Sequence, residues 1–414
     1  MTMTVTGTAS LGTGNPFEVC IDSTNAYFYV TTALGGTVEQ IRTSDMTVTG
    51  TATIGVSIVV YGVCISSDDA YVYVSNFTDN TVEQITVSSM TVTGTASLGA
   101  SHGPNGVCIS SDDAYVYVTN ETANTVEQIR TSDMTVTGTA SVGASQGPRR
   151  VCIDSTNAYL YVVCRLANTV LQIRTSDMTV TGTAYVIGST PYGVCISSDD
   201  AYVYVTNNGS DTVGQITVSS MKMTVTASLG ASHGPRGICI DSTDAYLYVT
   251  NYTDNTVEQI TVSSMTVTDT VSLGASHSPY GVCIDSTNAY VYVANFTGGT
   301  VEQISTGVSY GPTWVSPADT ADATPGTDAL VWTSSAYALN ARFQLQIASD
   351  SGFSSGLTTY DSDSASGFEY WDGAAWQSFG SGRMPSAKTG NNVRFTATSG
   401  FSGTKYRRVR QTRL

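Results

Sequence analysis

A cysteine in the phrase Val-Cys-Ile returns seven times, at Cys20, Cys64, Cys108, Cys152, Cys195, Cys239 and Cys283, at intervals of 44, 44, 44, 43, 44 and 44 residues (Ile-Cys-Ile at Cys239). A period of this length filled by four strand-like runs is that of a β-propeller blade. In the copy from Gly106 to Gly143, a short apolar run (Gly106 to Ser110, strand A) is followed by the turn residues Ser111, Asp112 and Asp113. Tyr115 to Thr119 alternates aromatic and β-branched residues at the period of a strand (B). A polar loop leads to Thr125–Ile129 (C), and Thr131 to Asp133 turns the chain into Thr135–Val142 (D). No helical stripe interrupts the array.

The phase of the repeat predicts how the ring closes. A D-type strand stands at Met3–Leu11, ahead of any A strand, and the last repeat stops on a C strand at Val301–Ile304. The first strand is therefore expected to pair with Thr300–Ile304 and remove the open edges of a linear array. The predicted fold class is all-β: a seven-bladed propeller over 1–306 and a second β domain over 307–414.

Charge separates the same two parts. The array holds 25 acidic and 8 basic residues, whereas the part from Tyr310 onward holds 8 and 9. So acidic a ring lacks the positive face that nucleic acid requires. No apolar run approaches the ~18 residues of a membrane helix, and no signal peptide is visible, so no membrane insertion is expected. The repeated cysteines lie on successive A strands, whose blades pack roughly 10 Å apart, beyond the reach of a disulfide. They are read as reduced apolar filler. Cys164, in place of a loop asparagine, reads as an exposed thiol or a loop accident.

In a propeller, the D–A and B–C loops share one rim and the A–B and C–D turns share the other. Fourteen of the array's acids fall on the second rim, among them Asp22, Asp69, Asp113, Asp200 and Asp244. They lack the dense alternating spacing of a calcium loop, and turn chemistry accounts for them. On the first rim, the residue at the mouth of strand A changes from copy to copy: Phe17, Tyr61, Asn105, Arg149, Tyr192, Arg236 and Tyr280, with Arg150 where most copies have glycine. These side chains should ring the channel entrance, where they either bind a sugar or an anionic group or plug the channel. Glu18 is the only carboxylate placed beside them.

The three histidines, His102, His233 and His277, sit in one loop of different blades, too far apart for a metal site; no metal or cofactor is expected. No nucleophile elbow, phosphate loop or zinc motif is present, so the reading is non-enzymatic. Apolar departures in blade four (Val163 to Leu166, and Leu171) and blade two (Ile58-Val59-Val60) mean a protein contact, with Arg165 and Leu166 its candidates, or local compensation. Asn76, Asn120, Asn208, Asn251 and Asn295 open Asn-x-Thr/Ser sequons, candidate glycan acceptors or plain turn asparagines.

The text Tyr-Val-Thr-Asn (Tyr117–Asn120, Tyr204–Asn207, Tyr248–Asn251) resembles the YVTN family of seven-bladed propellers over residues 3–304. That family occurs in surface proteins and is similar in fold to lactonase and streptogramin-lyase propellers. Ala329–Trp332, Phe343–Ala348 and Phe401–Arg410 resemble strands of a fibronectin type III-like sandwich, with Phe368–Gly373 as an inserted hairpin of the kind common in phage tail proteins. The resemblance lacks a final strand, so an edge bearing Tyr406, Arg408 and Arg410 is expected to dock a neighbouring subunit. The expectation for the whole is a structural, adhesive subunit of a virion appendage or other extracellular surface assembly. Its partners would be copies of itself, other appendage proteins or cell-surface carbohydrate. The alternatives are a glycosylated surface filament and a lyase- or lactonase-like enzyme.

Overall fold

In the computed structural model, residues 2–308 are described with their side chains, apart from 13, 57 and 187; beyond them only the backbone of eight strands is described. Strand β1 (Thr4–Ser10) precedes blade one, which is built from β2 (Pro16–Ile21), β3 (Tyr27–Thr32), β4 (Thr37–Arg42) and β5 (Thr47–Thr53). Blades two to six repeat this plan as β6–β9 (60–97), β10–β13 (104–141), β14–β17 (148–185), β18–β21 (191–228) and β22–β25 (235–272). Blade seven has β26 (Pro279–Ile284), β27 (Tyr290–Asn295) and β28 (Thr300–Ser305), and its sheet order is β1-β28-β27-β26. The first strand thus completes the last blade, with Val5 opposite Ile304, Thr8 opposite Glu302 and Ala9 opposite Val301. The described propeller residues form an all-β, seven-bladed ring without helices, as the phase of the repeat predicts.

Three repeated devices explain why this text makes blades. The tyrosine in the middle of each B strand (Tyr29 through Tyr292) is buried between blades, and its hydroxyl accepts a hydrogen bond from the strand-C glutamine of its own sheet. A large apolar ring is buried and its polar tip is satisfied, which is the condition for burying tyrosine without penalty. Second, a methionine just before five of the outer strands (Met46, Met90, Met134, Met178 and Met221) packs on a glycine of the preceding blade. A Cβ at Gly138 would stand 2.8 Å from Cγ of Met178.

The third device employs the last aspartate of four A–B turns. The N–H of Ser23 donates to Asp69 at 2.9 Å, Ser67 to Asp113 at 2.8 Å, Ser155 to Asp200 at 2.9 Å and Ser198 to Asp244 at 2.9 Å. Asparagine plays the same part for Ser111 to Asn157, Ser242 to Asn288 and Ser286 to Asn25. Every seam of the ring is thereby clasped. The accepting residues all have φ between 56° and 60°, the left-handed region that Asn and Asp tolerate best after glycine.

Three expectations are corrected here. Cys164 is the last residue of β15 (Tyr159–Cys164) and fully buried, so it is no exposed thiol. Leu171 and Val163 are also buried, and with Cys164 they fill cores beside blade four; only Leu166, 61% exposed, and Arg165 remain at the surface. Asn76, Asn120, Asn251 and Asn295 end B strands and are buried, so the folded ring cannot present them for glycosylation. The amide of Asn120 instead donates to Thr125, that of Asn251 to Thr256 and that of Asn295 to Thr300. Asn208 is half-buried, with its amide 3.3 Å from the carbonyl of Pro235.

The chain divides into Met1–Val308 and Ser309–Leu414. In the second unit, β29 (Thr313–Ser316), β30 (Ala329–Thr333), β33 (Phe368–Trp371), β34 (Trp376–Ser378) and β35 (Asn392–Thr396) form a sheet in the order β29-β30-β35-β33-β34. A second sheet runs β32-β31-β36 from β31 (Ala341–Ala348), β32 (Thr358–Asp361) and β36 (Tyr406–Arg413). Tyr406, Arg408 and Arg410 lie on β36, opposite Ala348, Gln346 and Gln344.

Candidate functional site: the channel mouth

Innermost strands set the site. Six begin at a proline and blade two at Val60, and each carries its variable residue at the next position, so Phe17, Tyr61, Asn105, Arg149, Tyr192, Arg236 and Tyr280 fall on one end of the central channel. A second variable position joins them, the residue just after each B strand: Ala33, Phe77, Glu121, Arg165, Asn208, Tyr252 and Phe296. The first-position reading missed this second ring, although its residues change from copy to copy in the same way.

The two rings make an asymmetric cup. Blades five, six, seven, one and two supply an aromatic wall. Phe17 stacks on Tyr61 at 4.6 Å and Tyr280 at 4.3 Å between ring centroids, and Phe296, Tyr252, Tyr192 and Phe77 extend the cluster. Phe17, Tyr192 and Tyr280 are buried, and the hydroxyl of Tyr192 is 2.6 Å from that of Tyr280. Burial also pushes the Tyr61 and Tyr192 hydroxyls up from their ordinary pKa. These buried rings do plug much of the entrance. Above them remains a cavity of 270 Å³ lined by Leu34, Tyr61, Arg149, Arg236, Tyr252 and Phe296 among others.

Blades three and four supply the polar side. Asn105, fully buried, donates from Nδ2 to Glu121 at 3.0 Å. Glu121 also faces the guanidinium groups of Arg149 at 3.7 Å and Arg165 at 3.8 Å. The guanidinium carbon of Arg149 lies over Tyr192, 4.2 Å from its centroid. Arg236 is held by rings alone: its guanidinium carbon is 3.4 Å from the centroid of Tyr252, 4.1 Å from Tyr280 and 5.2 Å from Tyr192. Nε of Arg149 and of Arg236 is buried with no acceptor, and no carboxylate among the described residues pairs with Arg236.

The mouth is the one locally basic place on the acidic ring. Of the array's 8 basic residues, Arg42, Arg130 and Arg174 are locked to Asp45, Asp133 and Asp177 in outer turns, and Lys222 begins an outer strand. The other four, Arg149, Arg150, Arg165 and Arg236, gather here against Glu18 and Glu121.

Below the cup, the residue after the variable position is glycine in five blades, Glu18 in blade one and Arg150 in blade four. In the glycine blades the next inner strand passes close: a Cβ at Gly106 would stand 2.5 Å from the carbonyl of Arg149. Glu18 and Arg150 form an ion pair across a cavity of 120 Å³ whose other lining is mostly glycine and valine. Burial raises the pKa of Glu18, against the opposing pull of Arg150. The three histidines stay apart, each facing a strand-C glutamate of its own blade: His102 to Glu127, His233 to Glu258 and His277 to Glu302, all at 3.5 Å.

A family model described as Lactonase, 7-bladed beta-propeller, matches residues 128–272. No curated protein matches the chain. Among solved structures, hydrazine synthase from Kuenenia stuttgartiensis is similar at 19% identity, over 73% of this chain and 98% of that one, with a TM-score of 0.66. Virginiamycin B lyase from Staphylococcus aureus is similar at 16% identity, over 73% and 99%, with a TM-score of 0.65. A streptogramin B lyase follows at 12%, over 73% and 97%, with a TM-score of 0.63. At these identities the likeness is one of fold, and it agrees with the coordinates: the first unit of this chain is a seven-bladed β-propeller.

Proposed function

We propose that the propeller is a small-molecule-binding module whose mouth captures a planar organic anion. The observation that carries this reading is Arg236, a guanidinium stacked among three tyrosine rings with no acid to neutralise it. Rings that cover the guanidinium faces leave the edge donors, the geometry in which arginine takes a carboxylate with two parallel hydrogen bonds. A ring on the ligand would stack on the aromatic wall. Titration calorimetry with benzoate tests it. Wild type should bind, and Arg236→Ala should lose about tenfold or more in affinity, since hydrogen bonds to charged groups contribute ~1.5–3 kcal/mol each. Equal binding by the two proteins would overturn the assignment.

The comparisons favour a second step, in which the captured molecule is also a substrate. The lactonase model and the lyase structures support a ring-opening or lyase-type enzyme over a passive role. Incubation with lactones and with cyclic depsipeptides, followed by mass spectrometry, would detect the opened products. In our reading the second unit is a fibronectin type III-like domain. The outer edge of β36, unpaired among the described residues, would then serve assembly with copies of this chain or other surface proteins, as in a virion appendage, with Arg165 and Leu166 as further contacts. Light scattering of the whole chain, compared with a chain ending at residue 308, tests that role.

A further inference from the structure

We propose that Glu18 is an exchangeable counterion: an anion arriving at the mouth draws Arg150 away from it, and Glu18 then takes up a proton. This rests on the anion-binding reading of the mouth and adds to it a coupling between capture and protonation.

The geometry provides a continuous route. Arg150 pairs with Glu18, and its Nη1 also reaches Oδ1 of Asn105 at 3.4 Å. Asn105 holds Glu121, and Glu121 faces Arg149 and Arg165. The chain of contacts therefore runs from the channel floor to the rim, with three arginines sharing two carboxylates. The guanidinium of Arg150 also lies 5.2 Å from the ring of Phe17, which lines the cup. A carboxylate bound at Arg236 shares its cavity with Arg149, whose guanidinium lies over the same Tyr192 ring; there it competes with Glu121 for Arg149 and lets the whole set shift toward the rim.

Glu18 has little else to hold its charge. Side-chain exposure is 19% for Glu18 and 12% for Arg150. The titratable groups facing Glu18 from neighbouring strands are Arg150 on β14 (Pro148–Ile153), Cys239 on β22 (Pro235–Ile240) and Cys283 on β26, with Cys20 on its own strand. Burial pushes all three thiols far up, so they stay neutral. Arg150, together with the backbone N–H of Val19, therefore favours the ionised form of Glu18 against burial. Without it, a carboxylate in this site is desolvated and protonates. The exchange balances: the ligand brings one negative charge, the carboxylate of Glu18 gains one proton, and the channel keeps its net charge. The proton comes from the buffer acid, whose bond to hydrogen breaks as the Glu18 O–H forms, and no other covalent bond changes.

The sequence supplies its own control. Five blades carry glycine where blade one carries Glu18, so Glu18→Gly installs a residue the fold already uses at this level. The test is calorimetry of benzoate binding at one pH in two buffers of different ionisation enthalpy. Wild type should show a buffer-dependent enthalpy equivalent to uptake of up to about one proton per benzoate. Glu18→Gln and Glu18→Gly should bind at least as tightly with no buffer dependence. Benzoate binding without proton uptake in wild type, or equal uptake in both variants, overturns the coupling and leaves the anion site standing. If neither benzoate nor inorganic phosphate binds any of the three proteins, the coupling and the anion site both fail.

Discussion

The backbone N–H of Ser286 donates to Oδ1 of Asn25 at 3.0 Å, joining residues 261 positions apart. The contact is the same clasp that joins Ser67 to Asp113 within the run of blades. The seam between last and first blade is therefore chemically ordinary, made by the same residues as the internal seams. Asn25 is in the left-handed region, which alanine pays to enter and glycine does not. Asn25→Gly should remove the clasp alone and cost ~1 kcal/mol, whereas Asn25→Ala should cost ~1–2 kcal/mol more. Chemical denaturation of the two variants checks the difference.

Ring closure depends on β1. Ala9 is 2% exposed and lies opposite Val301, so Ala9→Asp buries an unpaired charge in the closing sheet. A loss of ~3 kcal/mol or more is expected, seen as a drop in the unfolding midpoint. Removing residues 2–12 should be worse, and a synthetic peptide of that segment should restore part of the lost stability when added back.

Close approach of inner strands gives the third prediction. The alanine methyl in Gly106→Ala would meet a backbone carbonyl, which cannot swing aside, whereas in Gly138→Ala it would meet the flexible side chain of Met178. Both overpack, and costs of ~1–3 kcal/mol are ordinary for such changes. Thermal unfolding should place Gly106→Ala at the upper end or beyond and Gly138→Ala below it.

Stability should also depend on pH through the three glutamates that face histidines. Desolvation raises the pKa of Glu127, Glu258 and Glu302 above the unfolded value near 4.5. A carboxyl raised on folding contributes stability that is fully present below the unfolded pKa and is lost as pH rises through the folded one. Between pH 4.5 and 7, the contribution of these three groups should therefore fall as pH rises. The triple glutamine variant should show a flatter profile of melting temperature over that window. An unchanged slope would contradict the role given to these three carboxyls.

The thiols give a simpler check. Burial pushes Cys164 to about 12 and the seven inner-strand cysteines up as well. Native protein should react slowly with maleimide at neutral pH, and all 8 cysteines should react on unfolding.

How much of this was readable from the chain follows from where information is repeated. Blade number, strand order and the closing role of Met3–Leu11 were legible because seven copies average out local noise. The clasps were half legible: Asp69 and Asp113 read correctly as turn residues, but the partner is a serine in the neighbouring blade, and intra-blade spacing cannot reveal that. Cys164 and the buried sequon asparagines misled because a residue at a strand end looks like loop in one dimension. The mouth was found through its first ring only. Glu121 and Tyr252, which decide the charge and stacking around Arg149 and Arg236, belong to the second ring, some 16 residues later in each copy.

The direct test of the central claim is a crystal structure of the propeller grown with benzoate. The account predicts the carboxylate at the edge of the Arg236 guanidinium and the ring against Tyr61, Tyr252 or Phe296. A mouth without benzoate at saturating concentration, or benzoate bound elsewhere, would contradict it.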